Sequence, residues 1–126
     1  MMLGIVNQRC EAVLPIVVGN ITGQRQVIDA VIDTGFNGFL TLPSTMIMTL
    51  DLPWSGSDVA TLGDGSEALF DMYTANILWD GNYQEIDIAE SETEPLIGMG
   101  LLYGYRLQVD IIEKGKVTII PLSKNL

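Results

Sequence analysis

The chain has 126 residues, enough for a single domain (1–126) with its own hydrophobic core and no need of disulfide staples. Sixteen acidic residues against six basic ones leave a net charge of −10, which argues against nucleic acid or anionic lipid as a partner, because both select basic surfaces. There is no histidine, so Ser-His-Asp and Cys-His catalysis and most zinc sites are excluded, and hydrolytic chemistry would have to use carboxylates, a lysine or unusual ligands.

The opening stretch, "MMLGIVNQRCEAVLPIVVGN", has no basic start, and Arg9 and Glu11 interrupt its apolar runs, so no secretory leader is expected. Cys10 stands alone and near no base, which fits a reducing, cytoplasmic setting and an inert thiol. No apolar run approaches the roughly 20 residues that a membrane-spanning helix needs. Residues 11–20 form a β-rich run in which Pro15 predicts an edge position or an irregularity. Asn20 to Gly23 reads as a turn, and 26–33 returns as a strand with Ile28, Ala30 and Ile32 on one face. "GFLTLP" (38–43) is a short strand, and a helical turn starts at Ser44 and stops before Pro53.

Farther along, Gly63-Asp64-Gly65 sits between strand-like segments and predicts a hairpin over 58–73 with a type I′ turn at Asp64. Asp80-Gly81 predicts a second hairpin, with Tyr73, Ala75, Ile77 and Trp79 alternating before it and Ile86 and Ile88 after it. Residues 94–105 read as a short apolar strand, then glycines, then a helical turn or two. Strands over 106–112 and 116–122 close the chain around Glu113-Lys114-Gly115. About eight short strands at close spacing predict an all-β sandwich or small barrel.

One stretch resists a purely structural account. In "VIDTGFNGFL" (31–40) a carboxylate, Asp33, closes an apolar strand, although a lone buried carboxylate is costly unless paired, hydrogen-bonded or protonated. Asp-Thr-Gly is good turn chemistry, and on the order of one chain in forty of this length carries it by chance. The context is more specific. Asp33-Thr34-Gly35 follows two apolar residues and precedes a short strand, and an apolar-apolar-Gly signature recurs as Leu96-Ile97-Gly98 with a Leu-rich segment after it.

This arrangement resembles the retropepsin-like aspartic proteases, and in particular their small prokaryotic members with one Asp-Thr-Gly per chain. The resemblance runs from about residue 12 to residue 122 and implies a retropepsin-like closed β-barrel with a flap hairpin and one short helix, completed by homodimerisation. It also implies an endopeptidase acting on polypeptide with no cofactor and no metal. Asp33 would meet its two-fold mate, since such chemistry needs two aspartates sharing a proton and a water. Thr34 would reach across the two-fold, and Gly35 would let the loop turn and let backbone groups approach the carboxylate or the substrate. Phe36, Ile97 and Gly98 at the crossing, with Leu62, Gly63, Asp64 and Gly65 at the flap, would contact substrate.

Two departures from the family pattern stand out. Phe36 takes the place of an alanine, serine or threonine. A hydroxyl there would hydrogen-bond the carboxylate and a phenyl ring cannot, so cleavage is expected to persist toward less acidic pH than in hydroxyl-bearing relatives. The stretch Gly98-Met99-Gly100-Leu101-Leu102 lacks both the arginine of the retroviral enzymes and the aspartate of many prokaryotic ones. These departures keep open a non-catalytic homodimeric peptide-binding module on the same fold, and a monomeric barrel in which Asp-Thr-Gly is only a turn. Residues 98–104 fit no phosphate-loop spacing, and the acids between Asp80 and Glu94 fit no EF-hand, so both read as structure.

Overall fold

The computed structural model describes residues 1–61 and 64–123. Its strands are β1 (Met2–Val6), β2 (Ala12–Gly19), β3 (Arg25–Ile32), β4 (Leu40–Leu42), β5 (Trp54–Thr61), β6 (Glu67–Trp79), β7 (Asn82–Glu90), β8 (Leu96–Ile97), β9 (Tyr105–Val109) and β10 (Lys116–Pro121). Two short helices, α1 (Ser44–Thr49) and α2 (Met99–Leu102), interrupt them where the residue pattern placed helical turns, although the resemblance implied only one.

All ten strands join in one sheet, ordered β5-β6-β7-β4-β8-β3-β2-β1-β10-β9, and β6 also pairs with β2. That extra pairing closes β2, β3, β8, β4, β7 and β6 into a ring. Closure removes free edges inside the ring, so its strands can be short. Period-two alternation drives the inward faces. Leu14, Ile16 and Val18 of β2, Ile28 and Ala30 of β3, Ala75, Ile77 and Trp79 of β6, and Ile86 and Ile88 of β7 are all buried in one cluster. Each fully buried Val, Leu or Ile among them contributes about 1.5–3 kcal/mol.

Pro15 occupies a position that needs no donor. One edge of β2 pairs with β3 throughout, while the other pairs with β1 at Ala12 and Val13 and then with β6 from Val17 to Gly19. Pro15 lies between the two partners, where a missing N–H costs nothing. Strand β1, unanticipated from sequence, runs antiparallel to β10 and crosses β2 so closely that a Cβ on Gly4 would meet the Val13 carbonyl. Tyr105 of β9 sets its ring edge-to-face with Trp79 at 6.0 Å between centroids, tying the closing strands to the ring.

Two local expectations are corrected. The strand expected over 106–112 ends at Val109, because Ile112 and Gly115 turn back on themselves (the Gly115 N–H donates to the Ile112 carbonyl at 2.8 Å), and Ile111 and Ile112 are left exposed. The Asp64-Gly65 step is not a type I′ turn. A two-residue turn at 64–65 would set Thr61 opposite Ala68, whereas Thr61 pairs with Glu67 and Ala60 with Ala68. Asp80 and Gly81, at φ 51° and 83° between the paired Trp79 and Asn82, do make that turn. Leu62 and Gly63, expected at the flap, lie outside the described residues.

Candidate active site

Asp33 follows directly on β3, and its main chain is fixed by a strand from far along the sequence. β3 and β8 pair in parallel, Val31 opposite Leu96 and Ile32 opposite Ile97. The Val31 N–H donates to the Pro95 carbonyl and the Asp33 N–H to the Ile97 carbonyl, both at 2.8 Å. β4 packs on the other side of β8, where the buried Thr41 hydroxyl accepts the Leu96 N–H at 3.0 Å. The loop that carries Asp33 is therefore pinned by β8, which is itself held between β3 and β4.

Within the loop, the Gly35 N–H donates to Asp33 Oδ1 at 2.9 Å, and the Phe36 N–H to the Asp33 carbonyl at 3.2 Å. An ionised carboxylate gains most from such a donor, and the bond orients the Asp33 carboxyl group. Gly35 does not adopt positive φ, so of its two expected roles the close approach to the carboxylate is the one the geometry favours. A Cβ there would stand 3.2 Å from Asp33 Oδ1. The Asp33 side chain is only half-buried in the single chain, so the buried-acid premise drawn from sequence does not hold for one chain alone. Thr34 is exposed, and its hydroxyl makes no hydrogen bond among the described residues.

The crossing beneath the loop is tight. The Met99 N–H donates to the Phe36 carbonyl at 2.7 Å, Gly98 N–H to the Phe39 carbonyl at 2.9 Å, and Gly100 N–H to the Gly38 carbonyl at 3.0 Å. A Cβ on Gly98 would collide with the Gly38 carbonyl and come within 2.8 Å of the Phe36 carbonyl. Gly98 thus permits a close strand crossing, but it is buried under the loop rather than lining a groove. Ile97 is likewise fully buried, because alternation along β8 turns it into the core, and only its carbonyl reaches the site. The Phe36 ring lies over Gly38 and Gly98. The sequence reading assigned no role to Gly38, Thr41 or Pro95. Only "FNG" (36–38) hinted at one, as a ring two residues from a glycine.

The hairpin β5–β6 projects from the ring with both strands largely exposed near its end, up to the pair of Thr61 with Glu67. At its tip Asp64 Oδ1 accepts from the Ser66 hydroxyl at 2.5 Å and from the Ser66 N–H at 2.9 Å, and these bonds hold the Asp64 carboxyl below its ordinary value. The acidic loop before β8 is tied down as well. Glu92 Oε1 accepts the Ser44 N–H at 2.9 Å, and Arg9 pairs with Glu94 at 3.2 Å in the open. Among the described residues, no three His, Cys, Asp or Glu side chains converge to hold a metal ion, and no helix is long and apolar enough to cross a membrane.

An aspartate following one strand of a closed ring, with the apolar-apolar-Gly strand β8 running parallel beside it and a projecting hairpin, matches the arrangement expected of a retropepsin-like fold. The chain is similar to a solved retropepsin-like aspartic protease from Rickettsia conorii, at 19% identity and a TM-score of 0.58, over 94% of this chain and 87% of that one. At this identity the likeness establishes the fold, which is retropepsin-like and all-β. No family model matches the sequence, and no curated protein matches it.

Proposed function

We propose that two copies of this chain form an aspartic endopeptidase whose paired Asp33 carboxylates activate one water. The observation that carries the reading is a single half-exposed carboxylate, fixed by the Gly35 N–H and by the β3–β8 pairing, in an Asp33-Thr34-Gly35 loop that resembles the catalytic triplet of retropepsin-like proteases, on a chain with that fold. One carboxylate per chain makes half a dyad, and an isologous two-fold would supply the other half. In the dyad, the ionised Asp33 takes a proton from the water as its oxygen attacks the scissile carbonyl carbon. The protonated Asp33 of the partner copy hydrogen-bonds the carbonyl oxygen and gives it its own proton, leaving that carboxylate ionised. The tetrahedral diol then collapses: the carboxyl that took the water's proton passes it to the amide nitrogen, the C–N bond breaks, and a diol hydroxyl gives its proton to the ionised carboxylate as the new carbonyl forms. The exposed β5–β6 hairpin suits an extended polypeptide, which it would bind through main-chain hydrogen bonds while excluding water.

The test is cleavage of a broad peptide mixture from acid to neutral pH, wild type beside Asp33→Asn, with the solution mass of each recorded. Cleavage by a wild-type dimer, lost in an Asp33→Asn dimer, is the expected result. Cleavage retained by the variant would overturn the aspartic mechanism. One observation favours a second reading, a homodimeric peptide-binding module without catalysis: beside the carboxylate stands a phenyl ring, Phe36, where a hydroxyl would tune it. A clean dimer that binds peptides and cleaves none would select that reading.

A further inference from the structure

We propose that Phe36 is a positioning residue for Asp33, its ring seated on the backbone of Gly38 and Gly98 so that residues 36, 38 and 98 act as one packing unit. The catalytic consequence rests on the peptidase reading; the packing itself does not.

Glycine is needed where φ is positive or where there is no room for Cβ. Neither Gly38 nor Gly98 has positive φ; Gly98 stands at φ −97°. Both are therefore glycine for space, and the Phe36 ring fills that space. A Cβ on Gly38 would find its three nearest atoms all on the ring, with Cε1 at 2.7 Å, and a Cβ on Gly98 would stand 2.5 Å from Phe36 Cδ2. The ring is thus held between the Asp33 loop and the β8–α2 junction. The main chain beside it is bonded at both ends, to Asp33 through the Phe36 N–H and to Met99 through the Phe36 carbonyl. Gly35, whose N–H orients the Asp33 carboxylate, immediately precedes the ring. Removing the ring would leave the space over Gly38 and Gly98 unfilled, next in the chain to the residue that aims the carboxylate, and loops beside voids relax.

The two glycines differ in a way that makes the unit testable. The obstruction at Gly38 is ring alone, whereas at Gly98 it also includes the Gly38 and Phe36 carbonyls. A melting cycle should therefore show Gly38→Ala costly in the wild-type background and distinctly less costly in Phe36→Ala, while Gly98→Ala stays costly in both. Additive effects at 36 and 38 would overturn the packing unit. For positioning, the Gly35 amide should exchange with solvent about tenfold faster in Phe36→Ala under conditions where the protein stays folded, with Phe36→Leu partly restoring protection. An unchanged Gly35 amide would overturn the positioning role. In cleavage assays Phe36→Leu should lower kcat with KM nearly unchanged. A change in KM and in side-chain preference with kcat intact would instead make Phe36 part of the groove wall and sink the proposal. A wild-type protein that cleaves nothing would count against the peptidase reading alone, because melting and exchange report on the ring without it.

Discussion

Gly35 illustrates how narrow the tolerances are at single residues. Its N–H holds Asp33 Oδ1, and an added methyl would press on the same oxygen at 3.2 Å. Gly35→Ala is expected to cost about 0.5–1.5 kcal/mol of stability, the worth of one hydrogen bond, but to lower kcat/KM far more; melting and kinetics on one preparation separate the two. Glu92 offers a pH-dependent counterpart. The Ser44 hydroxyl and N–H beside it hold its carboxyl below its ordinary value of 4.5. A carboxyl lowered on folding stabilises the native state above its unfolded value and loses that contribution as the pH falls through the folded one. Glu92→Gln should therefore melt lower than wild type at neutral pH, and the gap should close in acid well below pH 4.5; a gap independent of pH would dismiss this contact as a source of stability. Asp33 was legible at this scale, because Asp-Thr-Gly after an apolar strand is a local pattern. The seat of Phe36 was not, since one of its two glycines lies far along the chain at Gly98.

Among the elements, strands whose partners are local were the easiest to read. The β6–β7 hairpin followed from Asp80-Gly81, since only residues that accept positive φ fit a two-residue turn. The flap hairpin was also expected, but its tip is built on the Asp64–Ser66 bonds, which compete with the simple turn. β1 was missed because Gly4 interrupts its apolar alternation. That glycine is there to let β1 cross β2, where a Cβ would meet the Val13 carbonyl and lie 3.2 Å from Leu14 Cα. Gly4→Ala should destabilise the protein by about 1–3 kcal/mol, the usual cost of overpacking, as read by urea unfolding. An effect within experimental error would mean that β1 yields freely and does not brace β2.

For the whole molecule, Ile97 connects the core to the site. Its side chain is fully buried and its carbonyl accepts the Asp33 N–H. Ile97→Ala should cost about 2–5 kcal/mol by denaturant unfolding, and any cleavage should fall further than the unfolded fraction explains, because the cavity lies under the aspartate. Association is expected to depend on salt. Two copies each carrying −10 repel, and ionic strength shortens that repulsion from about 10 Å at 0.1 M to about 3 Å at 1 M. Sedimentation should then show the dimer strengthening with salt; a dimer that weakens instead would point to an interface held by ion pairs.

The sequence by itself determined the class of architecture and the residue to examine. Alternating apolar positions, Asp-Gly turns and the absence of histidine are local properties, and they suffice for an all-β chain with one conspicuous aspartate. Tertiary structure decided the rest: the ring closed by β6 on β2, the parallel seat of Asp33 beside Ile97, the change of partner at Pro15, and the ring of Phe36 on Gly38 and Gly98. Each joins segments distant in sequence. Such pairings are chosen by which faces can be buried together and how closely backbones can approach, and local propensity carries no record of either.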